Sequence, residues 1–275
     1  MAPRPIAPMT VLRTDWVTPH LVRVVLGGVG VSSFQDNGFT DHYVKLVFPK
    51  PGVTYPSPFD LEQVRATFDR ADWPITRTYT VRWFDAAAGE LAIDFVYHGD
   101  EGIAAPWAAA ARPGDEILVR GPGGAYAPSS DVDWHLLVGD ESALPAVGGA
   151  LDTLPAGAVA TVFALVEDDA EQVKLESAAD VDVTWLHRST FASAEAANAA
   201  LVDAVRSAAF RPGSVHGFVH GEAGFVADLR RHLLTERGVP RELLSVSGYW
   251  RRGKNEDGWQ AEKAEMRRLE EDSAR

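Results

Sequence analysis

Three stretches of this chain carry side chains whose types and spacing suit a large phosphorylated ligand with a flat ring. The first is Thr76-Arg77-Thr78-Tyr79-Thr80-Val81-Arg82. Alternation predicts a strand with Tyr79, Val81 and Trp83 on one face and Thr78, Thr80 and Arg82 on the other. A Tyr face can lie against a planar apolar ring with polar edges, and Thr80 can donate or accept at those edges. Arg77 can make charge-assisted hydrogen bonds to a phosphate. An amphipathic strand with a surface Arg explains the same residues without any ligand, because Tyr, Thr and Val all favour strands.

The second stretch follows closely. Asp94-Phe95-Val96-Tyr97-His98-Gly99 ends a strand-like run, and Gly102-Ile103-Ala104-Ala105-Pro106-Trp107-Ala108 opens an Ala-rich helical one. Gly99 and Gly102 permit a tight turn, which leaves the first N–H groups of that helix free to meet an anion. A plain strand–turn–helix connection is the alternative. His98 reads equally as a strand-end hydrogen-bonding residue or as a proton donor.

The third is a pair of strand ends. Val138-Gly139-Asp140-Glu141-Ser142-Ala143-Leu144-Pro145-Ala146 reads as a strand, a turn and a helix start, and Phe218-Val219-His220-Gly221-Glu222-Ala223 repeats that logic. An α/β sheet places its ligands at such carboxyl ends. The first of these is not a G-x-G-x-x-G fingerprint.

Taken in order with Tyr249-Trp250-Arg251-Arg252-Gly253, these residues resemble the siderophore-interacting protein family, FAD-dependent ferric-siderophore reductases built like ferredoxin reductases. The likeness runs from about Val11 to Glu256. It implies that Arg77, Tyr79, Thr80, Val81, Asp94, Val96, His98, Gly102, Ala104, Ala105 and Trp107 take part in holding the cofactor, FAD, with the Gly102 region at its diphosphate. It also implies that the turns with Asp140, Ser142 and Ala143 and with Gly221 and Glu222 border a nicotinamide nucleotide, NADPH or NADH, and it adds Tyr249 and Trp250 to the cofactor-binding set. One departure stands out. Many members carry a Ser where this chain has Ala105, so a hydroxyl donor to the diphosphate is missing and weaker FAD retention is expected.

Composition bounds the rest. At 275 residues, two domains are expected. There are no cysteines, which excludes disulfides, thiol catalysis, thiolate metal sites and a Cys-ligated iron–sulfur cluster. The eight His include no H-E-x-x-H; His216 and His220 share a strand face but flank a Gly, so no metal site is expected. A net charge of −13 disfavours nucleic acid and anionic membranes as partners. No run of about 18 apolar residues would span a bilayer, and Met1 to Met9 lacks the apolar segment of a signal peptide. A cytoplasmic monomer is expected.

Many ferric siderophores are anionic, so a local basic patch would have to oppose the global charge. Arg251, Arg252 and Lys254 are the candidate for substrate binding, with a solvated turn as the alternative.

Six short strands, at Val11–Val17, Leu21–Leu26, Tyr43–Phe48, Thr78–Phe84, Leu91–Tyr97 and Glu116–Val119, predict an antiparallel barrel, with a short helix within Phe59–Phe68. Gly121 to Pro128, with three Gly and two Pro, predicts an irregular linker. Beyond it, strands at Trp134–Val138, Ala160–Val166, Val181–Leu186, Val215–Val219 and Leu244–Tyr249 alternate with helices at Leu144–Leu154, Ala194–Ala208 and Gly224–Glu236. That alternation predicts a parallel sheet covered on both faces. The expected division is an FAD-binding β-barrel domain at 10–122, a linker at 123–131, an α/β NAD(P)H-binding domain at 132–254 and a C-terminal helix at 255–275 anchored by Trp259.

The chemistry implied by the resemblance needs no catalytic side chain. A nicotinamide gives two electrons at once and Fe(III) accepts one, so a flavin must mediate. Ferrous iron then leaves hard siderophore oxygens. Arg188, after the third α/β strand, could meet a 2′-phosphate or merely cap a loop. Two alternatives remain: a flavin reductase or electron-transfer flavoprotein of the same fold with another acceptor, and a non-catalytic siderophore-binding protein.

Overall fold

The computed structural model describes residues 6–273. Up to Gly123 strands dominate: β1 (Ile6–Thr18), β2 (Leu21–Gly27), β3 (Tyr43–Phe48), α1 (Leu61–Thr67), β4 (Ile75–Asp85), β5 (Glu90–Val96), α2 (Ala104–Ala110) and β6 (Glu116–Gly123). The pattern then alternates: β7 (Trp134–Asp140), α3 (Leu144–Thr153), β8 (Val159–Val166), β9 (Asp180–His187), α4 (Ala194–Ser207), β10 (Val215–Glu222), α5 (Ala223–Arg231), β11 (Leu244–Trp250) and α6 (Glu256–Ser273).

The first six strands close into an antiparallel barrel in the order β1-β2-β5-β4-β3-β6. Alternate residues fill it: Val24 and Leu26, Val44 and Leu46, Leu91, Ile93 and Phe95 are all buried in one core. Each such side chain contributes roughly 1.5–3 kcal/mol on burial. Closure also removes the unpaired edges that would template aggregation. On α2, Ala104 and Ala108, with Ala111 just past its end, join that core, and their small size lets backbone approach it closely.

Two expectations fail here for backbone reasons. The β4–β5 register shifts between Val81 and Trp83, so Phe84, not Trp83, packs against the core beside Tyr79 and Val81. The Gly/Pro stretch is also not irregular from Gly121, because β6 continues through Gly123, opposite Tyr43. Pairing of β6 with β1 ends at Ile6↔Arg120 among the described residues, and the β3 register shifts between Tyr43 and Lys45. Pro122 has no N–H to donate, and it falls where the ladder with β3 is bulged.

The later strands form a parallel sheet in the order β11-β10-β7-β8-β9. Every residue of β7 is buried, as a central parallel strand requires. Edge strand β9 departs from the expected apolar run: Asp180, Asp182 and Thr184 are exposed, and charge on an edge discourages further pairing. Helices α4 and α5 lay Ala197, Leu201, Val205, Phe225 and Leu229 into one core. The helix expected to run to Glu236 is α-helical only to Arg231, and His232–Glu236 forms a π turn. There the Thr235 hydroxyl donates to the Arg231 carbonyl at 2.7 Å, competing for the acceptor of a regular helix turn. Trp259 anchors α6 as expected, buried and donating from Nε1 to the Gly248 carbonyl at 3.2 Å.

The chain groups into two compact units. One takes the chain up to Pro128 together with Pro145–Leu154 and Ala170–Ser177; the other takes Ser129–Leu144, Pro155–Asp169 and the chain from Ala178 onward. Within the barrel unit, Gly148 and Gly149 of α3 permit a close approach. A Cβ on Gly148 would meet the Arg82 guanidinium at 2.9 Å, and one on Gly149 would meet the Thr40 carbonyl at 3.0 Å.

Candidate functional site

On the barrel, β4 pairs with β3 so that Arg77, Thr78, Tyr79 and Thr80 lie opposite Leu46, Lys45, Val44 and Tyr43. Arg77 is half-buried and donates to the Thr76 carbonyl at 2.8 Å. Lys45 Nζ donates to Thr78 Oγ1 at 2.9 Å, and Thr80 is buried. The Tyr79 ring lies 4.3 Å from Phe95, Phe95 lies 5.8 Å from Trp107, and Trp107 meets Phe48 edge-on at 5.9 Å. The fold therefore links Tyr79 of β4 to Trp107 of α2 through an aromatic chain. Val81 faces the barrel core and Val96 ends β5, so each offers a ligand chiefly its backbone.

Asp94 has another engagement. Both carboxylate oxygens accept from Arg23, Nε at 2.6 Å and Nη2 at 2.7 Å, with the Asp94 side chain buried. His98 is exposed. Gly99 and Gly102 have φ of 95° and 85°, with open space where a Cβ would stand, so their requirement is conformational and not steric. At the start of α2, Ile103 occupies the N-cap position without a side-chain hydrogen bond, so no capping side chain takes the first N–H groups. Ala104 and Ala105 are buried beside them. With seven residues, α2 has little summed dipole, and an anion would rest on those N–H groups. A part-buried Arg, a buried Thr, an aromatic chain and an uncapped, small-residue helix start give complements for the phosphates, polar edge and ring of a flavin dinucleotide. The residues present fit FAD.

On the sheet, the chain order reverses at β7. The strand after it, β8, lies on one side, while β10 lies on the other. Such a switch point opens a crevice at the strands' carboxyl ends. Asp140 ends β7 there, and it ties three strands together. Its Oδ1 accepts from Ser142 N and Oγ at 3.0 and 2.5 Å, and its Oδ2 accepts from Glu222 N at 2.9 Å and Trp250 Nε1 at 2.8 Å. Burial, helped by Glu141, pushes its carboxyl up to about 6 against those donors. Ala143, buried, closes the turn before α3, its N–H donating to the Asp140 carbonyl at 2.9 Å. Gly221 has φ 137°, and a Cβ there would stand 2.6 Å from Phe225 and 2.8 Å from Asp140. Glu222 caps α5, accepting from Gly224 N at 2.6 Å, and also accepts from Asn198 Nδ2 at 3.1 Å. Tyr249 meets His220 edge-on at 5.0 Å.

Arg188 lies directly after β9. Its two terminal nitrogens donate to Glu141 at 2.6 and 2.8 Å, and one also reaches Glu167 at 3.3 Å. Burial would lower its pKa, yet these carboxylates hold it above the usual Arg value. The basic triplet is exposed but countered. Arg251 and Lys254 share Glu262 at 2.9 and 3.6 Å, and Arg252 faces Glu195 at 3.7 Å. His220 Nε2 lies 2.9 Å from Ser245 Oγ, and burial holds His220 down to about 3. Among the described residues no three His, Asp or Glu gather as metal ligands, and no helix is long and apolar enough to cross a membrane.

Two family models divide the chain between them: a siderophore-interacting FAD-binding domain over residues 10–126 and a siderophore-interacting protein domain over 132–253. The chain belongs to the siderophore-interacting protein family. It is 44% identical to an uncharacterized protein of Mycobacterium tuberculosis, over 98% of this chain and 99% of that one. It is 31% identical to the ferric vibriobactin reductase ViuB of Vibrio cholerae, over 92% of each. Identity to the NADPH-dependent ferric-chelate reductase of Escherichia coli is 32%, over 88% of this chain and 91% of that one. Among solved structures, the siderophore-interacting protein SipS from Aeromonas hydrophila matches with a TM-score of 0.79 and 30% identity, over 96% and 98% of the two chains.

Four residues bonded within this candidate geometry escaped the sequence reading. Arg23 and Asn198 gave no local signal, because their partners are distant in the chain. Glu141 stood inside a quoted turn, but its partner Arg188 came from another strand end. Glu167 carried a usable signal, an acidic residue directly after the second strand of a βαβ pattern.

Proposed function

We propose that this member of the siderophore-interacting protein family reduces ferric siderophores, with electrons from NAD(P)H passing through FAD to Fe(III) so that ferrous iron is released. Bound FAD supplies the chemistry of accepting an electron pair and giving electrons up singly. Arg77 holds phosphate charge, Thr80 bonds the polar edge of the ring system, Tyr79 and Trp107 supply apolar surface, and the first N–H groups of α2 take the diphosphate. Val81 and Val96 contribute backbone groups, and Asp94 acts through Arg23 to hold the strands that carry them. The Asp140 and Gly221-Glu222 turns receive the nicotinamide nucleotide, with Trp250 and Tyr249 at the end of β11 beside them.

The observation that carries this reading is the joint presence of an Arg77-Tyr79-Thr80 strand on a closed barrel and a switch point at Asp140 and Glu222 on a parallel sheet. The names of the ViuB and ferric-chelate reductase relatives support the acceptor. One observation favours a second reading, an acceptor other than an anionic chelate: Arg251, Arg252 and Lys254 each face an acid.

An anaerobic titration decides between them. FAD-loaded protein is bleached at about 450 nm, the band of an oxidised isoalloxazine, with NADH or NADPH, and a ferric siderophore is added with an Fe(II) trap. Recovery of the band with matching Fe(II) is the expected result. Bleaching without recovery would move the acceptor elsewhere. Arg77→Ala is expected to lower bound FAD about tenfold or more at equal flavin concentration, since a charge-assisted contact of about 1.5–3 kcal/mol is lost; full FAD content in that variant would remove Arg77 from the site.

A further inference from the structure

The proposed function leaves the donor as NADH or NADPH, and the two differ only in a phosphate on the adenosine ribose. A doubly wound sheet reads that ribose beside the phosphate turn, with an acid for a free 2′-hydroxyl or an Arg for a 2′-phosphate. In this chain both residue types are present. Glu167 directly follows β8 and Arg188 directly follows β9.

Arg188 is committed to Glu141 by two hydrogen bonds of 2.6 and 2.8 Å. The side chains of that pair are 18% and 17% exposed, whereas Glu167 is 47% exposed and bonds Arg188 only at 3.3 Å. A carboxylate offers about four lone-pair positions, so Glu167 retains acceptor capacity toward solvent. Two carboxylates and one guanidinium leave the cluster with an excess negative charge. A 2′-phosphate, itself carrying about −1.5 to −2 as phosphate monoesters do, would have to break a part-buried bidentate pair or sit against like charge. A hydroxyl faces neither obstacle.

We propose that the Glu141–Arg188–Glu167 cluster makes this chain select a nucleotide with a free ribose 2′-hydroxyl, NADH over NADPH. Glu167 accepts from that hydroxyl, and Glu141 withholds Arg188 from a 2′-phosphate. The inference rests on the reading of the β7–β9 strand ends as the seat of the donor's adenosine half. It separates this chain from the Escherichia coli relative, whose name specifies NADPH.

Calorimetric titration of the FAD-loaded protein with NAD+ and with NADP+ tests it without turnover, because both are inert toward oxidised flavin and differ only in the 2′-phosphate. NAD+ is expected to bind about tenfold tighter or more, a difference of about 1.4 kcal/mol. The kcat/KM ratio for NADH over NADPH should follow the same order. Glu167→Ala, at an exposed position, should bring the NAD+ to NADP+ ratio toward one. Glu141→Gln should raise NADP+ affinity relative to NAD+ by about tenfold, because Arg188 is released. Equal or tighter NADP+ binding by the unmodified chain would overturn the inference while leaving the reductase reading intact, provided either reduced nucleotide bleaches the flavin. A ratio unmoved in both variants, with folding verified by circular dichroism, would overturn the role of the cluster. If neither nucleotide binds and neither reduced form bleaches the flavin, the functional reading falls and the inference falls with it.

Discussion

The barrel and the parallel sheet present polar groups in different ways. On β4 and β5 the apolar residues Tyr79, Val81, Ile93 and Phe95 pack against or within the barrel core, while Thr78 and Thr80 belong to the other set of the same pleat and Arg77, on the Tyr79 side, is half-buried toward the start of β4. A candidate contact residue there is one substitution on a scaffold held by its core. At the sheet the candidate residues sit in the turns after the strands, where Asp140 alone accepts four hydrogen bonds from three segments. The buried carboxylate at that strand end is the group that holds the turns together. Ligand retention and stability should therefore separate on the barrel and move together on the sheet.

The largest effect should come from Asp140→Ala, which leaves the part-buried donors of Ser142 and Trp250 and the buried N–H of Glu222 without their acceptor. A loss of about 3–5 kcal/mol is expected in urea unfolding at neutral pH, together with loss of nucleotide binding. A loss below about 1 kcal/mol would mean that the turns stand without this carboxylate.

Next is the closed Arg23–Asp94 ion pair at the candidate barrel site. Arg23→Ala strands the buried Asp94 carboxylate and should cost about 3 kcal/mol, with FAD affinity falling only as far as the strands loosen. If FAD content drops while thermal stability holds, Asp94 or Arg23 touches the cofactor directly and the contrast between the two regions narrows.

A smaller, pH-dependent effect sharpens the sheet side. The Asp140 carboxyl is pushed up to about 6, above its value in an unfolded chain. The folded state then holds that proton more tightly, so this group's stabilising share is complete below about pH 4 and lost as pH rises through about 6. Asp140→Asn, which cannot ionise, should flatten the stability profile between those values. An unchanged slope would assign it to other groups.

The smallest effect concerns the exposed cations. Glu262 serves both Arg251 and Lys254. Glu262→Gln should tighten binding of an anionic ferric siderophore about two- to threefold at low salt, and less as salt screens the charges. No change at low ionic strength would remove these residues from the acceptor site.

Legibility in the sequence followed the range of each signal. Four of the six barrel strands and all five sheet strands were visible within a residue or three at each end, because alternation and apolar runs are local. The first strand begins well ahead of its expected start, where Ile6 to Thr10 pair with β6. The bulge after Val81 and the strand through Pro122 were hidden, since each depends on what the neighbouring strand does and not on the residue's own preference. The candidate site divided in the same manner. Arg77, Tyr79 and Thr80 could be read from one strand, and the Asp140 and Gly221 turns from two strand ends. The second role of Asp94 as the partner of Arg23 could not be read, nor could the capping of α5 by Glu222 with help from Asn198.

By itself, the sequence determined an antiparallel barrel followed by a parallel sheet, the two places on them proposed for cofactor chemistry, and a family likeness resting on those places. Only the tertiary structure decided which charges are already spent. Arg23 meets Asp94 across 71 residues and Arg188 meets Glu141 across 47. A hydrogen bond depends on a separation of about 3 Å in space, and spacing along the chain carries no record of that distance.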